Sequence, residues 1–93
     1  MYVGIVQVEL RLHSPTNLKE RRRIVNALKD RIRHRFEAAV AEVGPVEAYG
    51  EATLGIAVVS NEARHARQRA QAILEFLEKA RDAEVVDQLV EVL

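Results

Sequence analysis

The spacing of the apolar residues changes once near the start of the chain, and this change limits the possible folds. Through residues 2–12, apolar side chains occupy every second position, with Gln7, Glu9 and Arg11 between them. A period of two is typical of a strand that buries one face. Through residues 17–36, apolar residues return every third or fourth position, which predicts a helix with one buried stripe. Together they predict one core between two packed layers.

Local signals mark where the first helix begins. A turn over residues 13–16 is expected to end the strand, because Pro15 cannot continue a sheet ladder. Asn17, followed three residues later by Glu20, predicts a capping box. The stripe that must face the core is formed by Leu18, Val25, Leu28, Ile32 and Phe36, with Ile24 at its edge.

The middle of the chain predicts two further strands. Residues 37–43 are short and rich in alanine, and we interpret them as the second strand. Residues 44–50 hold two glycines and a proline and predict a loop that contains Tyr49. Residues 52–60 are β-branched without helical spacing, and both phases are nearly apolar, which predicts a central third strand.

The last part of the chain predicts a second helix and a fourth strand. The helix is expected to be capped by Ser60 or Asn61 and to run to about Ala80. Its inward residues are predicted to be Ala63, Ala66, Ala70, Ile73, Leu74 and Leu77. Residues 85–93 predict the last strand, in which one phase holds Val86, Val90 and Val92.

This order of elements predicts an α+β fold. Strand, helix, strand, strand, helix, strand (βαββαβ) is the ferredoxin-like two-layer sandwich. It places two helices on one face of a four-stranded antiparallel sheet, in the strand order 4-1-3-2. Residues 1–93 are long enough for one domain of this kind and too short for two.

Composition excludes several classes of function. The chain has no cysteine, which excludes disulfides and thiolate metal sites. Its histidines lack metal-ligand spacing, and no nucleophile, base and acid occur in a catalytic pattern. We therefore expect a protein that is not an enzyme and uses no metal or cofactor. Apolar runs are too short for a membrane span, so we expect a cytoplasmic protein without a membrane partner.

Charge is distributed unevenly along the chain. The 14 Lys and Arg residues balance the 14 acidic ones. Residues 17–36 alone hold eight basic and two acidic residues, a net +6, which leaves −6 on the rest. The predicted nucleic-acid-binding residues lie on both helices: Lys19, Arg21, Arg22, Lys29, Arg33, Arg35, Arg64 and Arg67.

The basic helix admits two interpretations. A polar stripe beside the buried face, along which a phosphate backbone could lie, is formed by Lys19, Arg22, Asn26, Lys29 and Arg33. Alternatively the stripe is a solvated face, partly offset by Asp30 and Glu37, with the cations of residues 31–35 favoured by the helix dipole.

Arg21 is a separate question, because it falls within the apolar stripe. It could capture an anion together with Arg22 and the amides at the helix N-terminus. It could equally form an internal ion pair with a sheet carboxylate such as Glu9 or Glu42.

The charged residues of the second helix form two groups. Its first half, which the topology places beside residues 31–35, holds Arg64, His65, Arg67 and Arg69. These residues could form one basic patch with residues 31–35, or they could be spaced around the helix and solvated. Near its end, Glu75 and Glu78 with Lys79 and Arg81 are typical of solvated ion pairs.

Three segments resemble a known family. NLKERRR after the first strand, AEV at the end of the second, and ATLGIAVVSN across the third into the second helix are similar to the YlxP-like small bacterial family of unknown function. The resemblance implies a ferredoxin-like fold. It also implies a loose RNA or ribosome connection, since genes of such proteins often lie beside those for translation initiation and ribosome maturation. Many relatives have serine where Asn17 stands and tryptophan where Tyr49 stands.

These observations support three hypotheses. The first is a non-catalytic RNA-binding or ribosome-associated module that docks through the basic helix. The second is a homo-oligomeric interaction or regulatory module, a homodimer in its simplest form, that pairs through the open sheet face, where Val3, Ile5, Ala57 and Val59 are expected. The third is an enzyme or small-anion binder near Asn17, Arg21 and the loop of residues 44–50.

Overall fold

The computed structural model describes residues 1–45 and 49–93. Its elements are, in chain order, β1 (Tyr2–Leu12), α1 (Leu18–Phe36), β2 (Ala39–Glu42), β3 (Glu51–Ser60), α2 (Ala63–Glu78) and β4 (Ala83–Val92). The four strands form one antiparallel sheet in the order β2-β3-β1-β4. The predicted ferredoxin-like α+β architecture and strand order are confirmed.

The core lies between the sheet and the two helices. In β1 the buried side chains alternate as predicted, at Val6, Val8, Leu10 and Leu12. β3 pairs with β1 along its length and places its own buried residues beside them. Both helices lie over these residues, so the sheet is covered on one face only. Neither helix in the described ranges combines the length and apolar character needed to cross a lipid bilayer.

The N-terminus of α1 is capped as the sequence predicts. The Asn17 side chain accepts a hydrogen bond from the Glu20 amide (2.9 Å). The Glu20 carboxylate accepts from the backbone N–H of Thr16 (2.9 Å) and from its hydroxyl (3.1 Å). These hydrogen bonds, the backbone one first, hold the pKa of Glu20 below its usual range. The reciprocal bond thus reaches one residue further back than in a standard capping box.

Several predicted ends shift by a few residues. α1 ends at Glu37, which adopts the left-handed conformation (φ 51°), so β2 begins only at Ala39. Ser60 belongs to β3, and the cap of α2 is Glu62, which has no side-chain capping bond. The predicted caps at Ser60 or Asn61 are therefore wrong, although the Ser60 hydroxyl accepts from the Glu62 amide (3.1 Å). Of the predicted loop, residues 46–48 lie outside the described residues.

β4 contains an irregularity in its pairing with β1. Its register with β1 shifts after Glu9, where Val86 is an extra residue. A bulge of this kind reverses which phase of the strand faces the core. Val85 accordingly packs against the core, whereas Val86 is 47% exposed. The expected grouping of Val86 with Val90 in one phase is wrong.

α2 approaches β1 closely at Gly4. A methyl group at this position would lie 2.6 Å from the backbone oxygen of Ala66 and 3.0 Å from the side chain of Val58. No real β-carbon tolerates the first distance, because a backbone oxygen cannot rotate away as a side chain can. Glycine is therefore required for the helix to pack at this depth.

We predict that Gly4→Ala lowers the free energy of unfolding by about 1–3 kcal/mol, the usual cost of overpacking. Gly50→Ala is the matched control, since no atom of residues 1–45 and 49–93 lies within 4 Å of a methyl group there, and we expect it to change stability by no more than about 0.5 kcal/mol. Urea unfolding of both variants measures the difference. Equal stability of the two variants would contradict the assigned helix approach.

Candidate nucleic-acid interface

The two faces of the molecule carry opposite charge. Residues of β1 that alternate with the buried ones point to the open face, together with their partners on neighbouring strands. The acidic residues that this register places on the open face are Glu9, Glu51, Glu84, Asp87 and Glu91. In the described strands, Arg11 is the one cation on that face, and it pairs with Glu84 at 3.6 Å. The other described basic residues lie on the helices or beside their ends.

Arg21 is buried and therefore does not belong to the predicted nucleic-acid-binding surface. Its side chain is 5% exposed and its guanidinium forms an ion pair with Glu42. The same nitrogen donates to the backbone oxygen of Glu51 (2.8 Å). Its Nε is buried and has no hydrogen-bond partner among the described residues. Arg21 as a nucleic-acid contact is therefore wrong, and the internal ion pair left open by the sequence is the observed arrangement.

The polar stripe of α1 follows the edge of the sheet near β2. Arg33 establishes this orientation, because it donates to the backbone oxygen of Val40 (3.0 Å). Arg33 also contacts Asp30 at 3.5 Å, an exposed pair one helical turn apart, which contributes little energy in water. In contrast, Lys19, Arg22 and Lys29 have no carboxylate within 4.0 Å in residues 1–45 and 49–93. We call these three residues the edge stripe.

The second helix does not join its cations to α1 in the way the sequence suggested. Arg69 reaches α1, since its guanidinium donates to the backbone oxygen of Phe36 (2.6 Å) and to that of Val59 (3.0 Å). Arg67 lies two residues earlier, about 200° around the helix, and so projects from the opposite flank. Arg64 and Arg67 are both exposed. For Arg67 the position therefore fits the spread arrangement, one of the two interpretations that the sequence left open.

A groove between the two helices holds cations that the predicted site did not include. Arg35 was predicted, but Arg31, Lys79 and Arg81 line the same groove. Phe36 and Phe76 meet edge to face at its base, with ring centroids 5.6 Å apart. Lys79 and Arg81 form no ion pair within 4.0 Å in the described part of the chain, so the solvated pairs expected from their spacing are absent there.

The sequence signal for this groove was present but not sufficient. Antiparallel helices were predicted, yet the expected neighbours of residues 31–35 lay in the first half of α2. The observed contacts of Phe36 are with Arg69 in the first half of α2 and with Phe76 in the second half, so the neighbours of this segment extend further along α2 than expected. The periodicity of each helix predicts which of its sides is buried. It does not predict how far the two helices are shifted along each other, because this shift depends on tertiary packing.

Nδ1 of each histidine lies within hydrogen-bond distance of an oxygen of the protein. Within hydrogen-bond distance, Nδ1 of His13 lies 2.8 Å from the backbone oxygen of Arg81, and Nδ1 of His34 lies 2.8 Å from that of Asp30. His65 lies 3.0 Å from the Ser60 hydroxyl. No cluster of three or more potential metal ligands occurs among the residues described.

Comparisons with known proteins agree with the fold and with the motifs. Residues 3–90 match the family described as "Protein of unknown function (DUF503)". The chain is 24% identical over 76 residues to the "Uncharacterized protein YlxP" of Bacillus subtilis (strain 168), an alignment that covers 82% of this chain and 83% of that protein. The resemblance to the YlxP-like family is confirmed.

A solved structure supports the architecture. The solution NMR structure of a de novo designed protein with a ferredoxin fold superposes with a TM-score of 0.58 at 20% identity, covering 98% of this chain and 86% of that one. At this identity the likeness shows the fold alone.

We predict that Arg21→Met lowers the free energy of unfolding by about 3 kcal/mol, because it leaves the part-buried Glu42 carboxylate without a partner. Arg22→Met next to it is the matched control and should stay within about 0.5 kcal/mol of the parent, since Arg22 is exposed. In the double variant Arg21→Met with Glu42→Met, most of the loss should be recovered. Chemical denaturation measures all three, and a loss below about 1 kcal/mol in Arg21→Met would contradict a structural role for the pair.

Proposed function

The chain belongs to the DUF503 family of proteins of unknown function, and we propose that it is a non-catalytic RNA-binding module that docks through its helix layer. The observation that carries the proposal is the edge stripe: Lys19, Arg22 and Lys29 project from one flank of α1 and have no carboxylate partner in the described residues. Such cations bind phosphates by releasing condensed counterions.

Stability does not account for the edge stripe. Lys19 lies in the first turn of α1 and Arg22 directly after it, and the helix dipole disfavours positive charge at this end. The cations that do suit the dipole are those of the last turn, among them Arg33 and Arg35. Unpaired cations at the unfavourable end of a helix support a role in binding an anionic partner.

The charge of the open face supports docking by the helices rather than by the sheet. Five acids and one arginine occupy that face, which repels a phosphate backbone. RNA-recognition sheets bind bases on exposed aromatic side chains. No aromatic residue lies on the open face of the described strands. The helix layer remains as the surface with suitable charge.

The genes that lie beside those of YlxP-like proteins indicate which kind of RNA to test first. Genes of YlxP-like proteins often lie beside those for translation initiation and ribosome maturation, and the resemblance therefore implies a loose connection with RNA or the ribosome. A ribosomal particle exposes a dense phosphate surface, to which unpaired cations on one helix would be complementary. RNA of the translation machinery is therefore the first partner to test.

We predict that the parent protein binds RNA with an affinity that falls as salt rises. Replacing the edge stripe by Lys19→Gln, Arg22→Gln and Lys29→Gln should reduce the slope of log affinity against log salt by about 2, since each lost contact with single-stranded RNA removes about 0.7. Fluorescence anisotropy with ribosomal RNA fragments at several salt concentrations measures this slope.

Arg11→Gln is the matched control, because it removes one positive charge from the opposite face. It should leave the slope unchanged. The proposal is lost if the parent shows no salt-sensitive affinity for RNA, or if Arg11→Gln reduces the slope as much per charge as the edge-stripe variant does.

A second candidate function rests on the apolar end of the open face. Val59 is 57% exposed and Leu89 is 47% exposed. Between and beside them on this face lie Val3, Ile5, Ala39, Ala41 and Ala57. The small residues make this part of the sheet flat, so the same face of a second copy could pack on it about a twofold axis. Four of the five acids lie toward the other end, whereas Glu91 pairs with Ile5 inside the apolar part.

If the chain pairs in this way, Val59→Glu should convert a dimer into a monomer, because it would bury an unpaired carboxylate in the interface. Leu18→Glu, at a similarly exposed apolar residue on the helix layer, should leave the dimer intact. Light scattering at micromolar concentration measures the mass. A monomeric parent, or a dimer unaffected by Val59→Glu, contradicts this second function.

A further inference from the structure

The groove between the helices has an apolar base and a cationic rim. It measures about 660 Å³, within the range of small-molecule sites. The apolar part is formed by Phe36, Ala72, Phe76 and Ala80. The charged lining residues are Arg31, Arg35, Lys79 and Arg81 against Glu75 and Asp82. Four positive and two negative charges leave the groove at +2, so its occupant should be an anion of more than one charge.

Arg35 is the cation of the groove that two aromatic rings hold in place. Its guanidinium carbon lies 5.7 Å from the ring centroid of Phe36 and 5.3 Å from that of Phe76. Both distances are within the range of a cation–π interaction. The two rings thus fix the position of the guanidinium without neutralising it.

Arg35 is held by aromatic rings, whereas the other arginines with fixed side chains are held differently. Arg21, Arg33 and Arg69 are each held by oxygen acceptors of the protein. In the part of the chain that the structure describes, Arg35 donates no hydrogen bond and forms no ion pair. Its five N–H groups therefore stay available to a ligand.

The combination suits a nucleotide. A guanidinium plane stacks on nucleobases as aromatic rings do, and its edge binds phosphate oxygens in a forked geometry. Arg31, Lys79 and Arg81 surround it with further positive charge. We propose that this groove binds one nucleotide unit, with an unstacked base against Arg35 and its phosphates among the surrounding cations.

This inference rests on the proposed function when the nucleotide belongs to an RNA strand, and it adds a preference for single strands. A paired base in a duplex is stacked on its neighbours and cannot enter the groove. A free nucleotide offers the same chemistry as an unpaired base in RNA. The experiment must therefore separate these two sources.

Arg35→Lys tests the stacking plane, because it keeps the charge and removes the planar guanidinium. Arg23→Lys is the matched control, an exposed arginine of the same helix that does not line the groove. The probes are a single-stranded oligouridine, a duplex RNA of equal length, and ATP. Anisotropy measures the two RNAs, and amide NMR shifts of Ala72 and Phe76 measure ATP. Thermal unfolding confirms that each variant is folded.

We expect Arg35→Lys to weaken single-strand binding about tenfold, a typical effect of losing one stacked base, with duplex binding and the salt slope unchanged. Arg23→Lys should leave all three affinities unchanged. ATP binding that shifts the groove amides and is weakened by Arg35→Lys supports the site as a free-nucleotide site, even if neither RNA binds and the RNA function fails.

Two outcomes overturn the groove assignment. In the first, RNA binds with the salt dependence of the edge stripe, yet Arg35→Lys has no effect and single strands are not preferred; RNA binding then stands and the groove does not. In the second, neither RNA nor ATP binds the parent, and both proposals are lost.

Discussion

Helices α1 and α2 cover one face of the sheet, and this one-sided burial determines where polar and charged groups can lie. The even-numbered residues of β1 from Val6 onward are in the core, so the odd-numbered ones must face outward with their partners. At Gly4 the approach of α2 leaves no room for a side chain. Apart from Glu91, the open face is apolar at one end and acidic at the other, while cations lie over the helices. A chain of zero net charge thus has two faces of opposite sign.

Three arginines use their planar groups to fasten the helices to neighbouring backbone. Arg21 joins α1 to Glu42 and to the backbone of Glu51, Arg33 joins it to the edge of β2 at Val40, and Arg69 joins α2 to Phe36 and Val59. A fork of several N–H donors can serve two acceptors at once, which a lysine cannot do in a fixed geometry. The excess of arginine over lysine in this sequence therefore has, at these positions, a structural cause.

The features that the sequence predicted well depend on local spacing. Alternation in β1, the Asn17 cap and the order of elements follow from neighbours within a few residues, and these determine the fold. The bulge at Val86 and the pairing of Arg21 with Glu42 depend on a partner strand far away in sequence. Periodicity placed Arg21 in the core-facing stripe but could not choose between an anion and a carboxylate. The groove around Arg35 was missed for the same reason, since the offset between two helices is not encoded in either one.

Some cations of the helix layer are bonded to the protein, and others are available to a partner. This difference makes the proposed surface specific. Lys19, Arg22 and Lys29 lie on the flank of α1 toward β2, whereas Arg31 and Arg35 line its flank toward α2. A strand of RNA that contacts both flanks must cross the outer side of α1, a width of about 10 Å. On one flank it meets flexible side chains that recognise only charge, and on the other it meets a guanidinium already fixed by two rings. In the proposed complex the first contact would set how affinity depends on salt and the second would require an unpaired base, so the two contributions can be measured independently.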